Sequence, residues 1–249
     1  TERIIKWTVQ NSAGAICGNH KAAEILKKYV TRSDFKILVA PISGVDIEGF
    51  RPDIQSDFRQ KHGIEDKTVL TFAGAFDERK GIKTLLAAFS EALKKASDLH
   101  LVMIGTGPLE SYIRDFVGQN EMQNNITAIP WLPNEQLPGV FVGSDIFIHP
   151  SEPYAGWEEQ FGYSIAEASA SCLPVISTKT GSIGEIVLDG VTGVLLEPQR
   201  VDRLKDAILT LAGDVDLRRK FGLAGRKHIE ENYSHSVIAG KYYNFFSTL

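Results

Sequence analysis

The amino-acid sequence predicts an α/β fold in which a parallel sheet is flanked by helices. Three observations carry that expectation. Short apolar runs rich in β-formers alternate with amphipathic helical segments several times over. Loops bearing glycine and proline follow those runs at their carboxyl ends. The chain has 249 residues, 43% hydrophobic and 23% charged, which suffices for one large core.

In chain order, Ala13 to Gly18, Lys21 to Tyr29 and Lys36 to Ala40 make a first strand-helix-strand stretch, and residues 41–52, rich in Gly, Pro and Asp, read as a linker. Val69 to Ala73 is a strand, after which Leu85, Leu86, Phe89 and Leu93 recur at helical spacing between Gly81 and Lys95. Leu99 to Ile104 is a buried strand ending in Gly105-Thr106-Gly107-Pro108, where glycine permits a tight turn and proline suits the first turn of a helix running through Phe116. Asn125 to Pro130 precedes a helix from Asn134, Asp145 to His149 precedes one from about Gly162, and Val175 to Thr178 is a further strand. From Asp202 onward the pattern is almost all helical, and the aromatic residues of Ser236 to Phe246 predict a helix that docks. Successive right-handed crossovers of this kind build a Rossmann-like sheet.

Composition excludes several classes of function. Lys plus Arg number 27 against 31 Asp plus Glu, a net charge of −4, so no global positive field attracts nucleic acid, and no nucleic-acid partner is expected. No apolar run approaches the ~20 residues of a transmembrane helix. Cys17 and Cys172 stand far apart, which fits a reducing compartment and argues against a disulfide framework or a zinc site. A cytoplasmic location follows as an expectation, the inner face of the membrane included. The sequence begins at Thr1 without an initiator Met, as a processed product or a piece of something longer does. The basic cluster Arg218, Arg219, Lys220, Arg226 and Lys227 reads as a solvated helix face.

Ligands of open α/β sheets sit beyond the carboxyl ends of the strands, and two loops there are chemically loaded. The segment Gly74-Ala75-Phe76-Asp77-Glu78-Arg79-Lys80-Gly81 delivers Arg79 and Lys80 to a helix start, where cations are unfavourable unless an anion joins them or they point to water. The second loop, Trp157 to Glu167, enters the next helix through Phe161, Gly162 and Tyr163. Gly162 lets a ligand approach the backbone closely, and the amides of Gly162, Tyr163 and Ser164 suit an oxyanion. Glu167, among Ile165, Ala166, Ala168 and Ala170, needs hydrogen-bond donors of the kind vicinal sugar hydroxyls supply. The alternative is an exposed Glu167 and a Glu159 that merely favours the helix dipole. His149, alone at a strand end, reads as structural.

With these residues placed, the sequence resembles the retaining glycosyltransferases of family 4, which have the two-domain GT-B architecture. Glu159 and Glu167 match the E-x7-E pattern, Gly74 through Lys80-Gly81 resembles the G-R-x4-K-G loop, and Ile104 to Leu109 resembles the I-G-x-G-P-L turn. Cys172 to Ile176, Gly181 to Glu185 and Asp189 to Gly193 resemble elements that follow the second glutamate. The likeness covers the donor-binding half. It implies that residues 1–43 are a remnant of the acceptor domain and that residues 44–249 form the nucleotide-sugar-binding domain with its C-terminal helices. It further implies that Lys80 neutralises the donor diphosphate beside Gly74 and the amides around Phe161, Gly162 and Tyr163, that Glu167 holds the ribose hydroxyls, that Glu159 contacts the transferred sugar, and that Leu132 meets the base. The arginine of the phosphate loop is replaced by Ala75, and Arg79 is expected to compensate in part. The insertion Glu152 to Trp157 brings Tyr154 and Trp157 either to the sugar pocket or to surface packing.

The implied activity is transfer of a hexose from a nucleoside diphosphate sugar, UDP-hexose first among them, to a glycan, lipid-linked or other hydroxyl acceptor of the full-length enzyme, with retention. The alternative is a nucleotide-sugar-binding module without efficient catalysis of its own. No cofactor is expected, and no D-x-D triplet or His pair at ligand spacing suggests a metal clamp. A glycosidase reading of the two glutamates leaves Lys80 unexplained. A dehydrogenase reading lacks a G-x-G-x-x-G segment.

Overall fold

The structure, a computed structural model, describes residues 2–249. The chain opens with α1 (Glu2–Gln10), β1 (Gly14–Cys17), α2 (His20–Lys27) and β2 (Lys36–Val39). β1 and β2 pair in parallel as a sheet of their own, Gly14 opposite Lys36 through Cys17 opposite Val39. After the linker and α3 (Phe58–His62), strand and helix alternate: β3 (Thr68–Ala73), α4 (Ile82–Leu93), β4 (Leu99–Ile104), α5 (Glu110–Gln119), β5 (Ile126–Ile129), α6 (Leu137–Val142), β6 (Ile146–His149), α7 (Tyr163–Ala170), β7 (Val175–Thr178), α8 (Ile183–Ile186) and β8 (Gly193–Leu196). Helices α9 (Val201–Gly213), α10 (Val215–Asn232) and α11 (His235–Ser247) close the chain.

The six later strands form one all-parallel sheet in the order β5-β4-β3-β6-β7-β8. Both faces are covered, so the central strands are largely apolar rather than alternating, with Thr71, His100 and His149 the buried exceptions. Leu70, Phe72, Leu101 and Met103 pack against α4 and α9 on one face, while Val69, Ala73, Val102 and Ile104 meet Ile165 and Ile183 on the other. The strands grow outward in one direction from β3 and in the other from β6, so the chain reverses between these neighbours. Their carboxyl ends flank the crevice where such sheets take ligands.

The strands and helices expected from Val69 to Thr178 are present within a few residues. The helix expected from Asn134 opens as a 3-10 turn, Asn134–Gln136, before α6. α1 and β8 go beyond the sequence reading, which placed Asp189 to Gly193 only among the strand and turn elements of the family resemblance; that segment delivers edge strand β8. The solvated-face reading of the basic cluster holds for Arg219, Lys220 and Lys227, which are exposed, and needs correction for Arg218 and Arg226. Arg226 donates to the carbonyls of Phe50 and Ala170, both at 2.7 Å, and Arg218 donates to those of Leu211 and Ala212 at 2.6 and 2.7 Å. Carbonyls at helix ends lack intrahelical partners, and these guanidiniums supply them.

Helix α11 docks as expected, and it does so on the first strand pair: Tyr242 Oη donates to the Pro41 carbonyl at 3.2 Å and Lys36 Nζ to that of Thr248. Two stretches of chain join that unit to the large sheet, and they lie side by side. Val45 N donates to the Tyr233 carbonyl at 2.7 Å, and His235 N donates to that of Val45 at 3.1 Å.

Replacing Arg226 with Ala leaves two carbonyls without their donor and should destabilise the fold by about 2 kcal/mol in urea unfolding. Lys227→Ala, on the exposed side of the same helix, should cost less than about 0.5 kcal/mol.

Candidate active site

The two loaded loops converge at the crevice between β3 and β6. Gly74 leaves β3 and packs against the His149 ring at the end of β6: a Cβ there would lie 3.3 Å from its Cε1. The next residues turn through Asp77, whose carboxylate accepts from Arg79 N at 3.0 Å and caps the short 3-10 turn carrying Arg79 and Lys80. Lys80 Nζ then donates to Glu159 Oε2 at 2.5 Å, from side chains 15% and 9% exposed. A buried charge needs a partner of this kind.

Glu159 also accepts from Ser151 Oγ at 3.3 Å and lies 3.6 Å from His149 Nε2. Its backbone is fixed by Gly181, in the left-handed region at φ 58°, where any side chain would meet the Glu159 carbonyl at 2.0 Å. His149 is structural in the sense expected, stacked on Phe72 and Phe147 with ring centroids 5.2 and 6.1 Å away, and it is also a wall of the Glu159 site.

Three residues past Glu159, Gly162 adopts φ 84° and caps α7. Its carbonyl accepts from Ile165 and Ala166, while the amides of Gly162, Tyr163 and Ser164 have no acceptor among the described residues. One turn on, Glu167 points into a cavity of about 250 Å³ that Gly74, Leu132, Trp131, Tyr163 and Asn134 also line. Its carboxylate makes no hydrogen bond or ion pair with a described residue. Gly74 and Tyr163 are common to this cavity and to the two converging loops, whereas Lys80 and Glu159 are not in its wall. Glu159 faces a second cavity of about 220 Å³, shared with Asn19, Lys21, Glu158 and Gly156.

Other predicted residues are placed differently from their expected use. The Phe161 side chain is buried in the core against Tyr233 and Tyr163, so only its backbone is near the crevice. The Tyr163 hydroxyl accepts from Ser43 N at 3.0 Å, tying the helix start to the linker. Arg79 is held by Asp77 at 2.5 Å and lies over the Trp157 ring at 4.7 Å. Asn134, His149 and Ser151 belong to the site without a motif to announce them; their one signal was position, just past the carboxyl ends of β5 and β6. Among the described residues no three metal-capable side chains gather; contrary to the expectation the sequence does hold one D-x-D triplet, Asp214-Val215-Asp216, whose Asp214 caps α10 by accepting from Leu217 N at 2.8 Å.

The family model for glycosyl transferases group 1 matches residues 54–228, which hold β3, β6 and both loops of this crevice. The chain belongs to that family. Among curated relatives, a GDP-mannose-dependent alpha-(1-6)-phosphatidylinositol monomannoside mannosyltransferase of Mycobacterium tuberculosis is 27% identical over 226 residues, covering 86% of this chain and 59% of the relative. A D-inositol 3-phosphate glycosyltransferase of Pseudarthrobacter chlorophenolicus is 31% identical over 209 residues, covering 82% of this chain and 48% of the relative. The chain thus spans about half the length of these relatives. HepE of Anabaena, solved with UDP, superposes with a TM-score of 0.85 at 18% identity, over 100% of this chain and 67% of that one. That likeness shows the fold.

In this glycosyl transferase chain the two glutamates are electrostatically opposite. Burial works against a charge on Glu159, but His149 and Lys80 outweigh it and hold the carboxyl at about 2. Burial of Glu167 has nothing to oppose it and raises that carboxyl to about 7. A folded-state value above the ordinary 4.5 means stability is fully present below that value and falls as pH rises toward about 7; for Glu159 the contribution is present above 4.5 and lost as pH falls toward about 2. Glu167→Gln should therefore match the parent in thermal unfolding near pH 4 and exceed it near pH 8. A constant difference across that range would contradict the assignment.

Proposed function

We propose that this chain is the donor-binding half of a retaining family 4 glycosyltransferase, taking a nucleoside diphosphate hexose and passing the hexose to a hydroxyl acceptor. In this reading residues 1–43 are the last units of the acceptor domain and residues 44–249 hold the donor. The observation that carries it is the arrangement at the β3–β6 switch point: an unpartnered carboxylate in a cavity, free amides at a helix start, and a buried ammonium, all within two adjoining loops. Glu167 accepts both ribose hydroxyls, which supply the donors its carboxylate lacks. Leu132, with Trp131, bounds the base. The amides of Gly162, Tyr163 and Ser164 and the Lys80 ammonium take the diphosphate.

Glycosyl transfer passes through an oxocarbenium-like state while charge grows on the departing diphosphate, so stabilising that charge is the main catalytic demand. Lys80 answers it by moving from Glu159 to phosphate oxygen. That exchange frees Glu159 to accept hydroxyls of the transferred sugar. The Anabaena neighbour was solved with UDP, which supports UDP as the first nucleotide to test; the name of the mycobacterial relative makes GDP-mannose the second.

Calorimetry on this chain should find that UDP or GDP binds, that Lys80→Ala weakens the better one by at least about 10-fold, and that Glu167→Ala weakens the free nucleoside as well. In the full-length enzyme Lys80→Ala should cost about 10² to 10³ in turnover. Full activity in that variant would refute the assignment.

A further inference from the structure

The segment Glu152 to Trp157 forms a strap over the cationic end of the site. It is a tight hairpin: Trp157 N donates to the Tyr154 carbonyl at 2.8 Å and Tyr154 N to that of Trp157 at 3.2 Å, across Ala155 and Gly156 at φ 48° and 78°. Its base is pinned. Glu152 N donates to the Arg79 carbonyl at 2.8 Å, and the Glu152 carboxylate accepts from Thr84 Oγ1 at 2.5 Å and Gln199 Nε2 at 3.1 Å. The pinned hairpin sets the Trp157 indole 4.7 Å from the Arg79 guanidinium and 5.0 Å from Lys80 Nζ, while Gly156 at its tip lines the cavity that holds Glu159.

We propose that Trp157 is a positioning residue that holds Arg79 and Lys80 against one indole, side by side, so that both meet the same pyrophosphate group. The inference rests on the donor-site reading above and adds a determinant of its phosphate half. The physical reason is the charge balance. Arg79 is matched by Asp77 and Lys80 by Glu159, so the four side chains cancel, and an entering pyrophosphate must draw the cations from their carboxylates. A further carboxylate would hold the cations in place but repel the phosphates. An indole face attracts cations through its quadrupole and carries no net charge, so it orders them without opposing the anion.

The test is calorimetry on this chain with UDP, inorganic pyrophosphate and uridine as probes. Trp157→Ala should weaken UDP and pyrophosphate by about 3- to 30-fold and leave uridine unchanged, and Trp157→Phe should recover most of the loss. Thr84→Val, which loosens the pin without touching the ring, should weaken pyrophosphate in the same direction and keeps the idea testable if the alanine variant fails to fold. Unchanged pyrophosphate affinity in Trp157→Ala, an equal loss of uridine, or no recovery by Phe would overturn the proposal. If Lys80→Ala also leaves UDP affinity unchanged, it is the donor-site reading itself that fails; if Lys80→Ala weakens UDP while Trp157→Ala does not, only the role of Trp157 falls.

Discussion

The site turns on one buried ion pair. Lys80 and Glu159 come from loops 79 residues apart in sequence, and neither charge is tolerable in its surroundings alone. The two loops must therefore close on each other for the crevice to form. Much of the nearby backbone serves that closure: Gly181 gives Glu159 room, Asp77 fixes the turn that presents Lys80, and His149 walls the carboxylate between two phenylalanine rings. A pair of this kind adds little net stability, because desolvation offsets most of the attraction. Its value is that either partner can be taken over by a ligand bearing the right charge.

Glu167 lives by a different rule. It follows Glu159 by a short loop and one turn of α7, yet among the described residues it has no cation and no hydrogen-bond partner, and burial sets its protonation. The same short segment thus provides an acceptor that stays charged and a carboxyl poised near neutrality. Two carboxyls so contrasted by environment are a sign of divided labour rather than of a generic acidic surface.

Much of this was legible in the sequence, and the reasons differ by element. The central strands announced themselves because burial on both faces leaves largely apolar runs, and Gly162 stood out as a place where a ligand can approach the backbone closely, whereas Gly181 entered only as part of the family resemblance. The Lys80–Glu159 contact was not legible as an ion pair: the residues were assigned to phosphate and sugar separately, and spacing carries no information about what a side chain touches. Edge strand β8 was missed because its four residues follow a turn-rich stretch that local pattern dominates. The basic cluster of α10 misled for a related reason, since helical charge alone does not say which arginine bends inward to meet carbonyls. His149 and Ser151 lack a motif altogether and became visible only once β3 and β6 were neighbours.

The side-by-side crossing of Val45 and Ser234 bears on how the first strand pair is held. That pair, with α11 on it, is joined to the large sheet through two chain segments that are hydrogen-bonded to each other, a doubled axle rather than a single tether. Away from the axle its grip is polar: Asn19 Nδ2 donates to the Gln160 carbonyl, His20 N donates to Glu185, and Lys21 pairs with Glu158. Polar contacts exchange for water at small cost. These contacts set Asn19 and Lys21 against the loop that carries Glu159, so one side of the Glu159 cavity is placed by the first strand pair.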